Sequence, residues 1–104
     1  MSTGKNQYLK SKVRATPAWR QLRVDIEEAQ NGLDPITLRP LRKGFNVHHL
    51  DMRAENYGNL ALERFAALNK STHEMVHWLF RYYAKDPAIL ERLKTLLDKM
   101  VELS

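Results

Sequence analysis

A chain of 104 residues with 43% hydrophobic and 28% charged content makes one folded domain with a modest core, and leaves no room for a second large module. Cysteine is absent, which excludes disulfides and thiolate zinc sites, so any metal must be held by nitrogen and oxygen. The net charge of +5 is unevenly placed, because residues 1–44 carry nine Lys/Arg against four Asp/Glu while residues 45–104 carry eight against eight.

Such a basic leader suits a polyanion, most simply nucleic acid, or else is a solvated tail. No apolar run approaches the roughly 20 residues of a membrane span, and no apolar signal segment opens the chain. A cytoplasmic protein without a membrane partner is expected.

Residues 1–15 read as a flexible basic arm, with Lys5, Lys10, Lys12 and Arg14 free to meet phosphate. Residues 16–104 form the single domain. Thr16-Pro17 opens the first predicted helix, Thr as N-cap and Pro at the first helical position. Trp19, Leu22, Ile26 and Ala29 recur at helical spacing, and Gly32 is expected to stop the helix as its C′ residue. Trp19 belongs to the core, and Arg20, Arg23, Glu27 and Glu28 fall largely outside. Asp34 to Gly44 is a connector whose two prolines forbid a long helix.

Gly44 lets the chain turn into a short strand at Phe45 to Leu50, with Phe45 and Val47 on one face. Residues 51–62 suggest a loop, and Phe65 to Asn69 a second strand pairing with the first. Ser71 is expected to start a helix through a capping box with Glu74. Val76, Leu79, Phe80 and Tyr83 would supply its apolar face. Asp86-Pro87 should cap a last helix whose stripe from Ile89 to Val101 makes it a packing helix or a dimer contact.

All four histidines lie between residues 48 and 77. His73 and His77 are one turn apart and leave one helix face, the usual way for a helix to offer an ion two ligands. His48 and His49 are adjacent on a strand, so one can reach the ion while the other points elsewhere. A neutral imidazole off the metal can take a proton from water near pH 7. A base, an electrophile and a basic approach surface are what phosphodiester hydrolysis needs.

Residues 45–78, FNVHHLDMRAENYGNLALERFAALNKSTHEMVHW, resemble the HNH endonucleases, the ββα-metal nucleases. The family pattern is a strand ending in a His doublet, a loop, a second strand, and a helix carrying His-x-x-x-His. The resemblance covers about half the chain. It implies an α+β fold with a ββα-metal core over about 45–84, a short two-stranded ribbon, and flanking N-terminal and C-terminal helices.

It also implies roles. His49 would be the general base, His48 and His77 metal ligands, and His73 a third ligand or a phosphate contact. The metal would be divalent, magnesium or manganese for turnover, with zinc or nickel as tight occupants. The substrate would be DNA, duplex or branched, with a homodimer needed to cut both strands. The origin suggested is phage or bacterial, acting in the host cytoplasm. Arg39, Arg42, Lys43 and Lys70 are expected backbone contacts.

The sequence departs from the family twice. Arg64 stands where the family has its middle Asn, so the orienting role passes to Asn59 or Asn69, less readily to Asn56. Asn69 and Thr72 stand where many relatives carry zinc-knuckle cysteines, so packing by Trp19, Phe65 and the last helix would have to replace that zinc. Asp51 would cap a turn, bind metal or orient a histidine. The alternative function is a catalytically inactive HNH-fold module that binds DNA or protein.

Overall fold

The computed structural model describes residues 14–51 and 60–104. The expected arm lies outside these residues apart from Arg14 and Ala15, as do Asn56, Asn59 and most of the expected loop. The described elements are mixed α and β, three helices and one two-stranded antiparallel ribbon, with a 3₁₀ turn at Leu62–Arg64. They divide into two units at the His73–Glu74 peptide.

In the first unit, α1 (Pro17–Ala29) starts where expected. Thr16 is extended and its hydroxyl accepts the Trp19 N–H at 3.1 Å. Trp19, Leu22 and Ile26 are buried, whereas Ala29 is exposed. The helix stop is one residue earlier than expected. Asn31 is the left-handed C′ residue at φ 56°, and Gly32 follows it at φ 70°. The Asn31 N–H meets Glu28 O at 3.0 Å and the Gly32 N–H meets Glu27 O at 2.8 Å, the paired bonds of a Schellman ending. Asn tolerates the left-handed region well enough to take the position assigned to Gly.

Gly44, at φ 84°, turns the chain into β1 (Asn46–His49). β1 pairs antiparallel with β2 (Phe65–Leu68), in the register Asn46↔Leu68, Val47↔Ala67, His48↔Ala66 and His49↔Phe65. The pleat sends Val47 inward, to join Phe45, Phe65, Ala67 and the α1 residues in one core cluster. Both alanines of β2 have a use. Ala66 is a small residue opposite His48, and Ala67 is fully buried where Gln30 closes on the strand. The Gln30 amide donates to Ala67 O at 3.0 Å and accepts the Ala67 N–H at 2.8 Å, so one side chain caps the free edge of β2.

Helix α2 (Lys70–Tyr83) begins one residue before Ser71. Ser71 is exposed inside it, and no Ser71–Glu74 capping box forms. Asp34 does the work instead. It is fully buried, its Oδ1 accepts the Ile36 and Thr37 N–H groups at 2.8 and 3.2 Å, and its Oδ2 accepts the Asn69 N–H at 3.0 Å. The Asn69 side chain in turn accepts the Arg42 N–H at 2.7 Å and donates to Pro40 O at 3.0 Å. A hydrogen-bonded network through the two knuckle positions thus holds the start of α2, alongside the Trp19 and Phe65 packing.

In the second unit the rest of α2 leaves Phe80 and Tyr83 exposed rather than on a buried face. Helix α3 (Ile89–Glu102) begins two residues later than a Pro87 start would place it. Asp86 still shapes this start, since its carboxylate accepts the Ala88 N–H at 3.2 Å and pairs with Arg92. No residue of α3 is buried, so its apolar stripe builds no core among the described residues. Among these residues no helix is long and apolar enough to cross a membrane.

Candidate metal centre and basic cleft

Strand alternation sends His48 and His49 to opposite faces of β1. The His48 ring lies edge-on to His73 with centroids 5.1 Å apart. Helix α2 runs unbroken from Lys70, so His77 follows His73 by one turn on the same face. His48, His73 and His77 each present a ligand nitrogen, all within 4.8 Å of one another, and all three are half-buried. Such a set can hold a metal ion. Among the described residues no carboxylate joins it.

His49 turns the other way. It is 7% exposed, its ring stacked 5.6 Å from Trp19 and tilted 4.8 Å from Phe65. Asp51 pairs with Arg64 at 3.2 Å, and the Leu50 N–H bonds Arg64 O at 2.9 Å. The Arg64 side chain therefore ties the end of β1 to the start of β2. Asn69 spends its amide on the 40–42 loop, and Asn59 lies outside the described residues.

The four expected DNA contacts converge. Arg39, Arg42, Lys43 and Lys70 line one open cleft of about 700 Å³, whose floor includes Phe45 and the first turn of α2. The helix start adds a positive dipole end to these cations. Its electrostatics are set partly by Asp34. Burial raises the Asp34 pKa, but bonds from the Asn69 and Ile36 N–H groups, the Thr72 side chain and the Thr37 N–H outweigh it and hold the carboxyl below its ordinary value. Asp34 stays ionised and keeps α2 positioned.

Asp34, Gln30 and Thr72 were the functional supports missed in the sequence. Asp34 had a usable signal, since Asp-Pro followed by Ile-Thr is an Asx-turn pattern. No family model, curated protein or solved structure matches the chain.

Proposed function

We propose that the chain is a metal-dependent DNA endonuclease of the HNH type, and the convergence of His48 from β1 with His73 and His77 from α2 carries the reading. The residues fit a divalent ion. Three imidazoles favour zinc or nickel over magnesium and manganese, which prefer oxygen donors. Three protein donors are the number found in catalytic rather than closed structural sites. When bound, the ion supplies charge neutralisation at the phosphate and the leaving oxygen.

The chain's own residues do the rest. Arg39, Arg42, Lys43 and Lys70 hold backbone phosphates in the cleft. His49 takes the proton of the attacking water, whose oxygen bonds phosphorus as the bond to the 3′-oxygen breaks. Clamping between Trp19 and Phe65 fixes the direction of its imidazole.

The same clamping favours a second reading, an HNH-fold module that binds DNA without turnover. There His49 is a core ring, and Arg64, committed to Asp51, replaces the orienting Asn. Plasmid nicking separates the two. On the nuclease reading the wild type converts supercoiled to open-circular DNA with manganese, zinc, nickel or magnesium but not with EDTA, and His49→Ala binds metal without cutting. DNA binding by both proteins without cutting under any ion selects the binding module.

A further inference from the structure

We propose that a notch between Arg14, Arg23, Asn46 and His73 is a separate anion subsite, seating one backbone phosphate of a nucleic-acid strand beside the histidine trio. Its size selects the ligand. The notch holds about 140 Å³. That is the room of about five waters, and well below the roughly 300 Å³ at which small-molecule pockets begin. It has room for a tetrahedral oxyanion and is too small to enclose a nucleoside.

Its cations are placed for an anion. The Arg23 guanidinium lies 4.0 Å from the Phe45 ring centroid, and that of Arg14 lies 5.9 Å from the Trp19 ring. An aromatic face holds a guanidinium in position while leaving its N–H fork open. Neither arginine forms an ion pair among the described residues. The α1 carboxylate of Asp25 is engaged by Gln21 at 2.8 Å. Two guanidinium groups line a small hollow and have no acidic partner among the described residues, an arrangement that suits an anionic acceptor.

Its place in the chain says which anion. The large cleft is lined by Gly44 and Phe45, just before β1, the notch by Asn46 and Val47 of β1, and the trio begins at His48. A strand lying along β1 meets the cleft, then the notch, then the histidines. The notch therefore takes the phosphate next to the one at the trio, and anchors the substrate on that side. That the anion belongs to nucleic acid rests on the nuclease reading, while the anion site itself does not.

The test is titration of the full-length, metal-free chain with inorganic phosphate, followed by backbone amide and arginine Nε NMR signals. Saturable shifts are expected at Arg23, Asn46 and His73. Arg23→Gln should weaken this binding at least fivefold, Arg23→Lys less, and Lys94→Gln, on a helix assigned to no site, not at all. Arg14→Gln is the second variant, outside the core, should Arg23→Gln perturb the fold. The DNA salt slope should also fall by about one in Arg23→Gln. Phosphate shifts confined to Arg39, Lys43 and Lys70, or unchanged binding in a folded Arg23→Gln and Arg14→Gln, overturn the site. Phosphate binding at the notch without any DNA binding keeps the anion site, removes nucleic acid from it, and fails the nuclease reading separately.

Discussion

His48 and His49 are the same side chain one residue apart, and the ribbon puts them to opposite uses. His48 is half-buried, faces small Ala66 across the ribbon, and meets the histidines of α2. His49 is almost fully buried against Trp19 and Phe65. The chemistry of the ring is identical, so the pleat and the partners decide its role. One face of β1 packs against the core and the other carries a side chain of the set that could hold an ion, and stability and metal response should separate between variants on the two faces.

The largest effect is expected on the core face. Trp19→Ala removes the ring that packs on both His49 and Phe65, and should cost about 4 kcal/mol in urea unfolding. A loss under about 1 kcal/mol would mean that the α1 side of β1 is not the core.

Next comes the support beneath the ligand face. Asp34→Asn keeps the shape but forfeits charge-assisted bonds to three backbone N–H groups, a loss of about 3 kcal/mol. The pH dependence has a definite sign. The folded carboxyl sits below its ordinary value, so its stabilisation is full above the unfolded pKa of about 3.9 and is lost as pH falls through the lower, folded value. Wild-type unfolding free energy should therefore drop below about pH 4 by more than that of Asp34→Asn. Parallel acid profiles for the two proteins would remove Asp34 from this role.

The third effect belongs to the ligand face alone. Zinc or nickel at a hundredfold excess over its dissociation constant should stabilise the chain by about 2.7 kcal/mol, read as a rise in Tm. His48→Ala, His73→Ala and His77→Ala should each abolish most of this rise. His49→Ala should lower the starting Tm yet keep the rise. A metal response lost equally in all four variants would mean that the two faces are not distinct.

The ribbon, the first helix and the histidine grouping were legible in the sequence because each follows from a local period. Two-residue alternation at 45–49, the Thr16-Pro17 start and the four-residue His spacing each act over a few neighbours. What was not legible is non-local. Asp34 caps a helix 35 residues away and Gln30 closes a strand edge 37 residues away. The Ser71–Glu74 box was a sound local pattern, but the helix starts at Lys70, directly after Asn69, whose N–H the buried Asp34 carboxylate accepts, so Ser71 lies inside the helix. The exposed stripe of α3 had a clear helical period, but a period says that a face is apolar and not what covers it.

The smallest effect lies where the two faces of the ribbon end. Arg64 and Asp51 pair at 3.2 Å with side chains 36% and 22% exposed, so the pair should contribute only about 0.5 kcal/mol. A double-mutant cycle of Arg64→Asn and Asp51→Asn should return a coupling of that size, screened further by salt. Arg64→Asn also introduces the residue that the HNH pattern has at this position, at little cost to the fold. On the second reading, in which His49 is a core ring, an arginine that keeps it from acting as a base predicts that nicking with manganese rises in this variant while metal binding stays unchanged. Unchanged nicking would place the control of His49 in its Trp19 and Phe65 contacts instead, since those hold the ring whichever residue occupies position 64.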